Sequence, residues 1–124
     1  MSEIGSLPPQ LQEQLLRLQQ LQQTLQVVVS QRQQLELERS EVDRALSELE
    51  KMADDSIIYK SVGSLLIKSE KKKVIDELHE RKELVETRIT VLTRQQTRAE
   101  ERAKELQQLI QERLKPSSGS QLLQ

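Results

Sequence analysis

The feature that most constrains this chain is a seven-residue apolar repeat that occurs twice, on either side of a short central interruption. The two repeat segments, 7–53 and 70–115, have matching lengths and contain no glycine, and neither contains a proline after Pro9. The a and d series begin at Leu11 and Gln14 in the first segment, and at Ile75 and Leu78 in the second. Nine of the twelve a and d positions are apolar in each segment. Repeats sustained over so many heptads predict two coiled-coil helices.

The interruption between the two repeat segments has a different residue pattern. Asp54, Asp55 and Ser56 favour turns and helix ends over helix interiors. Two short aliphatic runs then flank Gly63, a pattern that predicts a β-hairpin. A continuous helix remains an alternative, because glycine costs a helix only about 1 kcal/mol. The predicted fold class is all-α dominated: a long antiparallel coiled-coil hairpin of two helices joined by a β-hairpin.

The predicted organisation is a single structural domain over residues 7–115. Its parts are an N-terminal segment (1–6), helix 1 (7–53), a β-hairpin oligomerisation segment (54–69), helix 2 (70–115) and a disordered tail (116–124). Ser6 is a candidate N-cap for the first helix, since its hydroxyl can accept an unpaired backbone N–H.

Composition excludes several classes of function. Tyr59 is the only aromatic residue, so the chain lacks the large rings that usually fill a globular core. Nineteen basic residues against twenty acidic ones leave no excess of cations to neutralise phosphates, which argues against nucleic-acid binding. Cysteine is absent and His79 is the single histidine, so neither disulfides nor a metal site are expected.

Membrane, secretion and catalytic signals are also missing. No run approaches the roughly 20 apolar residues of a membrane span, and residues 1–6 do not resemble a signal peptide, which predicts a cytoplasmic protein. There is no glycine-rich phosphate loop and no nucleophile–base set, so we expect neither an enzyme nor a cofactor.

The hairpin has apolar side chains on both faces, because Tyr59 alternates with Ile58 and Val62 in the first strand, and Leu66 alternates with Leu65 and Ile67 in the second. A lone two-stranded hairpin is only marginally stable, and open apolar edges invite pairing with other chains. We therefore predict an obligate oligomer in which hairpins join into an intersubunit β-barrel. The predicted oligomerisation residues are Ile57, Ile58, Tyr59, Val62, Gly63, Leu65, Leu66 and Ile67.

This order of elements resembles the prefoldin family, and within it the archaeal beta-type subunits. The resemblance is carried by Tyr-Lys-Ser-Val-Gly-Ser-Leu-Leu-Ile-Lys at 59–68, by Leu-Pro-Pro-Gln at 7–10 and by Ala-Asp-Asp at 53–55. It implies a hexamer of two alpha-type and four beta-type subunits, with this chain as a beta-type subunit. It also implies an ATP-independent chaperone that captures unfolded client proteins at the coiled-coil tips and delivers them to a group II chaperonin.

Near the predicted tip, where the first helix begins and the second ends, apolar residues exceed what two facing seams can bury. One interpretation is a wider seam or scattered surface leucines; the other is a groove for clients. The candidate client-binding residues are Leu7, Leu11, Leu15, Leu16, Leu18, Leu106, Leu109, Ile110 and Leu114. By position alone, the resemblance implies chaperonin contacts near Glu105, Glu112 and Arg113.

Three basic features depart from the repeat. Arg32 and Arg39 occupy a positions, and antiparallel pairing places Arg39 near Glu83 and Glu86. Such residues either extend out of the seam to solvent or let the helices separate. The cluster that begins at Lys71 is unfavourable at a helix N-terminus, which leaves open that it lies in the preceding turn.

Two other readings of the chain remain. A structural coiled-coil adaptor or scaffold would use the hairpin to associate without binding clients. A parallel, tropomyosin-like rod would require continuous helix through Gly63.

Overall fold

The computed structural model describes residues 7–115. The predicted N-terminal segment with its N-cap Ser6, and the predicted tail 116–124, lie outside the described residues. Within them the order is α1 (Pro9–Glu50), β1 (Ile58–Val62), β2 (Leu65–Ser69) and α2 (Lys71–Leu114). The predicted fold class is confirmed, and the alternatives of a continuous helix and a parallel rod are wrong.

The described chain divides into two units. The terminal unit contains residues 7–30 and 93–115, and the hairpin unit contains residues 31–92. The boundary crosses α1 after Ser30 and α2 before Thr93.

The first helix begins where its sequence permits. Pro9 is the first helical residue, a position at which the missing N–H of proline costs nothing. The N–H of Gln12 donates to the carbonyl of Pro8 at 3.0 Å, and its side-chain amide donates to the carbonyl of Leu7 at 2.6 Å. At the other end, the N–H of Met52 reaches back to the carbonyl of Leu49 at 3.1 Å, which closes the last turn. The helix therefore ends at Glu50, before the acidic turn.

The second helix includes the lysine cluster. The N–H of Val74 donates to the carbonyl of Glu70 at 3.0 Å, so Lys71, Lys72 and Lys73 form the first helical turn and not the turn before it. No acidic residue occupies this turn. Cations are unfavourable at a helix N-terminus. Contacts of the Lys71 side chain with the segment that follows α1 compensate for this disadvantage.

The two strands pair antiparallel in a fixed register that runs from Ile58 opposite Ser69 to Val62 opposite Leu65. A two-residue loop joins them, and its first residue, Gly63, has φ of 59°. A Cβ at Gly63 would meet nothing within 4 Å, so glycine is favoured by the backbone conformation and not by lack of space. Register and loop therefore fix which side chains share a face.

Both helices bury the predicted seam. Every a and d side chain predicted in α1 is buried or half-buried, and the same holds for α2 except for Arg113. The most buried members are Leu11, Leu106 and Ile110 in the terminal unit, and Val42, Leu46 and Val85 in the hairpin unit. Burial of large aliphatic side chains, worth roughly 1.5–3 kcal/mol each, is the main stabilising contribution in each unit.

Candidate interaction surfaces

The hairpin exposes most of its apolar side chains. Ile58 is buried to 9% exposure, but Leu66 is 72% exposed and is the most exposed large apolar residue of residues 7–115. We call the exposed set the hairpin surface: Ile57, Tyr59, Val62, Leu65, Leu66 and Ile67. Ile57 lies just before β1, and the others lie on the strands. An exposed apolar patch of this kind is typical of an interaction site.

The strand register separates the hairpin into two faces. Ile58, Lys60 and Val62 share one face with their cross-strand partners, whereas Tyr59 and Leu66 lie on the other. The first face is turned toward α2, because the ammonium of Lys60 lies 2.9 Å from a carboxylate oxygen of Glu77. Even on this face, Val62 is 47% exposed. The predicted distribution of apolar residues on both faces is thus present.

Each strand also keeps one free edge, since β1 and β2 pair only with each other in the described chain. Unpaired N–H and C=O groups along a strand edge can template pairing with another chain. Two strands alone are marginally stable in water. The sheet therefore has both the apolar surface and the backbone groups needed to add strands from other chains.

The terminal unit places the nine predicted client-binding residues in three environments. Leu11, Leu106 and Ile110 are buried in the seam at 2–6% exposure, so their side chains hold the helices together. Leu7, Leu15 and Leu18 are half-buried. Leu16, Leu109 and Leu114 are exposed at 41–56%, and we call these three the terminal leucines. The terminal leucines occupy f, g and e positions, which the seam cannot cover.

One seam position of the terminal unit is poorly satisfied. The side-chain carbonyl oxygen of Gln14, at a d position, is buried and accepts no hydrogen bond. A buried polar atom without a partner costs about 1–3 kcal/mol. Gln14 therefore makes the seam less stable than an apolar residue at the same position would.

The charged residues assigned to chaperonin contact by resemblance are all exposed. Glu105 forms an ion pair with Arg102 one turn earlier, at 3.2 Å, while Glu112 and Arg113 lie in the last turns of α2. Arg113 is a predicted d residue, but its side chain faces solvent.

Ion pairs join the helices of the hairpin unit. The guanidinium of Arg81 binds Glu38, and the ammonium of Lys82 lies 2.8 Å from Asp43. The hydrogen bond and negative charge of Glu38 raise the pKa of Arg81. The corresponding hydrogen bond and charge of Asp43 raise the pKa of Lys82, and the nearby positive charge of Arg39 opposes that rise.

Both seam arginines are half-buried. Arg32 binds Glu36 of its own helix at 2.9 Å. Arg39 lies near enough to Lys82 for its positive charge to act on that ammonium. The proximity of Arg39 to Glu83 and Glu86 stays a prediction.

Some contacts were not predicted from the sequence. Lys60 and Glu77 tie the hairpin to α2, and Lys71 ties α2 to the segment after α1. Heptad position alone does not reveal them, because one partner of each pair lies outside the helical repeat.

Within residues 7–115, no group of three or more histidine, aspartate and glutamate side chains is arranged to hold a metal ion, and neither helix is apolar over a membrane-spanning length.

The class of this molecule follows from these features. Two long helices pair along apolar seams, and a two-stranded sheet joins them. The edges of the sheet and most of its apolar side chains are uncovered. The molecule is a coiled-coil hairpin with an exposed apolar surface at the connection between the helices.

Comparison with known proteins gives the family. The sequence matches the family described as "Prefoldin subunit" over residues 12–117. It is 47% identical to the prefoldin subunit beta of Archaeoglobus fulgidus over 116 residues, which cover 94% of this chain and 100% of that protein. The corresponding protein of Thermococcus onnurineus is 43% identical, with 92% and 98% covered. The chain belongs to the prefoldin subunit family, as its sequence resemblance implied.

Solved structures of prefoldin beta subunits have the same fold as this chain. The prefoldin beta subunit from Thermococcus strain KS-1 matches with a TM-score of 0.81 and 44% identity, over 88% of this chain and 96% of that one. The beta2 subunit from the same strain matches with a TM-score of 0.67 over 73% of this chain and 96% of that one, and at 23% identity it supports the fold alone.

Proposed function

We propose that this chain is a beta-type subunit of an ATP-independent chaperone, which holds unfolded proteins and passes them to a group II chaperonin in the cytoplasm. The observation that carries the proposal is the set of terminal leucines, Leu16, Leu109 and Leu114, which the seam leaves uncovered. Exposed aliphatic side chains are what an unfolded chain with exposed apolar residues can bind. The role requires no catalysis and no cofactor.

Assembly is assigned to the hairpin surface. Strands from other subunits pair with the free edges of β1 and β2 and cover Tyr59 and Leu66 in a shared β-barrel. The proposed assembly has two alpha-type and four beta-type subunits, in keeping with the resemblance described above. Hairpins joined edge to edge leave fewer unpaired backbone groups, which is the physical reason for association.

Client binding is weak at each subunit and strong in the assembly. Complete burial of one leucine is worth roughly 1.5–3 kcal/mol, and the terminal leucines are only partly available. Several copies that bind one client at once raise the overall affinity without any new contact. Weak single contacts also permit release, which transfer to a chaperonin requires.

Transfer is assigned to the exposed charged residues at the end of α2. Glu105, Glu112 and Arg113 are accessible to a partner surface, and they lie on the same helix as Leu109 and Leu114. We propose them as the chaperonin contact.

The test is suppression of aggregation. The chain, assembled with an alpha-type subunit, should keep a chemically denatured client soluble after dilution, equally with and without ATP. Replacing all three terminal leucines with serine should remove most of the protection while native mass spectrometry shows an unchanged assembly. Serine replacements at the exposed Gln19, Gln107 and Gln111 of the same unit are the matched control.

Two results would count against the proposal. Full protection by the triple leucine variant would show that clients do not bind at the terminal leucines. Absence of protection by the unmodified assembly would favour a structural adaptor, which shares the hairpin and lacks client binding.

A further inference from the structure

The exposed side of α1 in the terminal unit carries no charge over a long stretch. Charged residues make up 31% of the chain, yet none lies between Arg17 and Arg32. The other segment of this unit, 93–115, contains ten charged residues. Most solvent-facing side chains of residues 18–30 are glutamines, whose amides interact with water without a net charge. The two segments of this unit therefore present chemically different surfaces.

Two exposed aliphatic side chains mark the ends of one stripe on the uncharged surface. Leu16 is 56% exposed and Val27 is 55% exposed. Gln20 and Gln23 lie between them at spacings of four, three and four residues, which place all four side chains on one face of a helix. Both glutamines are exposed, and their side-chain amides form no hydrogen bond within residues 7–115. We call Leu16, Gln20, Gln23 and Val27 the uncharged stripe.

We propose that the uncharged stripe binds the backbone of an extended, unfolded polypeptide. The amides of Gln20 and Gln23 form hydrogen bonds with peptide groups of the client, while Leu16 and Val27 contact its apolar side chains. The inference rests on the proposed function, because Leu16 is one of the terminal leucines. It extends the client surface along α1 as far as Val27 and names the chemical group that this surface recognises.

Glutamine suits a client of unspecified sequence. Its side-chain amide carries donors and an acceptor, and each peptide group of an unfolded chain offers an acceptor and, except at proline, a donor. Charged side chains would select clients of opposite charge, and removing a charge from water costs far more than removing an amide. A partner that is recognised by its charge would find no counter-charge on this stripe. The stripe is therefore complementary to the unfolded backbone, which every client shares.

The length of the stripe fits a short extended segment. Leu16 and Val27 are eleven residues apart, which is about 16.5 Å along the axis at 1.5 Å per residue. In an extended chain, side chains four or six residues apart point to the same side and lie about 13 or 20 Å apart. Rotation of the side chains at the two ends covers the small difference. The peptide groups between them then lie over Gln20 and Gln23.

Each contact of the stripe is weak. A hydrogen bond formed in exchange for one with water contributes little net free energy. Several copies of the stripe in one assembly bind the same client together, which raises the overall affinity. The stripe thereby adds to the terminal leucines while each contact stays readily reversible.

A peptide whose backbone can be altered tests the proposal directly. The probe is a short labelled peptide of leucine, alanine and serine, compared with an analogue in which alternate backbone amides are replaced by esters. The ester keeps every side chain and removes the N–H donor. Fluorescence anisotropy measures the binding of both peptides to the assembly of this chain with an alpha-type subunit. The proposal predicts several-fold tighter binding of the amide peptide, and equal binding of the two would overturn it.

The glutamines are tested by replacing them. Gln20→Leu with Gln23→Leu removes the amides and keeps the stripe uncharged, so the preference for the amide peptide should disappear. Gln108→Leu with Gln111→Leu, which has the same spacing at exposed positions of α2, should keep the preference. A preference that persists in the stripe variant would overturn the proposal. A changed native mass of that variant would assign the stripe to a contact between subunits and would also overturn it.

Val27 tests how far the site extends. Val27→Ser should weaken binding of the amide peptide several-fold, whereas Val91→Ser, the same change at an exposed valine of the hairpin unit, should not. Equal effects would overturn the extension to Val27. Suppression of client aggregation by the unmodified assembly reports the proposed function separately. Protection without a preference for the amide peptide rejects the backbone contact alone, and absence of both protection and peptide binding rejects the proposed function with it.

Discussion

The ammonium nitrogen of Lys71 lies 2.8 Å from the carbonyl oxygen of Met52, so the first residue of α2 binds the backbone just beyond the end of α1. The same ammonium lies 3.0 Å from a carboxylate oxygen of Asp54, and its side chain is only 13% exposed. One lysine thereby satisfies a backbone carbonyl just beyond α1 and fixes the turn that enters the hairpin. This contact explains why a cation is tolerated where the helix dipole of α2 disfavours it.

Replacing Lys71 with methionine should lower stability. The variant keeps the aliphatic stem but loses two charge-assisted hydrogen bonds, and because Asp54 is fully exposed we expect a loss of only about 1 kcal/mol. Lys72→Met, an exposed neighbour in the same turn, is the control. Because the helix dipole disfavours a cation there, the control should lose no stability. Urea unfolding followed by circular dichroism measures both; an equal loss in the two variants would mean that the contacts of Lys71 with Met52 and Asp54 do not determine the effect.

Replacing Gln14 with leucine should raise stability. The substitution removes the buried carbonyl oxygen that lacks a partner and adds an apolar side chain at a d position, for a gain of about 1–3 kcal/mol. Gln20→Leu, at an exposed position of the same helix, should change stability little. The midpoint of thermal unfolding distinguishes them. An unchanged or lower midpoint for Gln14→Leu would show that the amide is satisfied in solution.

The seam and the hairpin were predictable from the sequence because both depend on periodicity. Leu11, Val28 and Val85 are buried as their heptad positions require, and Gly63 has the positive φ expected of a tight strand connection. The order and type of the helices and strands follow from local patterns of this kind. Prediction was least accurate at element ends, where α1 stops at Glu50 because acidic and turn-forming residues compete with the last helical turn.

The interaction surfaces were predicted less completely. A surplus of leucines indicated the region, but the candidate client-binding residues combined the d residue Leu106, which is buried, with the g residue Leu109, which is exposed. Side-chain partners were harder still: the ion pairs that Arg81 and Lys82 form with carboxylates of α1 were not predicted. Which of several nearby charged side chains bind each other depends on distances that sequence spacing does not provide.

Leu106 and Leu109 should separate stability from client binding. Leu106 is 2% exposed, so Leu106→Ala should cost roughly 2–5 kcal/mol. Leu109 is 41% exposed, and Leu109→Ala should change stability by about 0.5 kcal/mol or less while it reduces aggregation suppression. Chemical unfolding and client light scattering are measured on the same preparations. Equal destabilisation by both variants would contradict the assigned environments.

Alkaline pH should weaken the contact between Lys82 and Asp43. Because folding raises the pKa of Lys82, its stabilising effect is complete below the unfolded value of about 10.4 and is lost as pH rises through the folded value. Lys82→Gln should therefore be less stable than the unmodified chain near neutral pH, and the difference should disappear in strong alkali. Lys104→Gln, an exposed control, should show no such dependence. A difference that is constant with pH would exclude the ion pair as its cause.

The central claim is that the hairpin surface makes this coiled coil an assembling subunit, and native mass spectrometry tests it most directly. The unmodified chain should form a tetramer alone or a hexamer with an alpha-type subunit, and Leu66→Lys with Tyr59→Lys should give monomers with unchanged helical circular dichroism. A control with Lys at the exposed helical residues Gln19 and Gln107 should assemble normally. Monomers from the unmodified chain in the presence of the alpha-type subunit, or normal assembly of the hairpin variant, would contradict the claim.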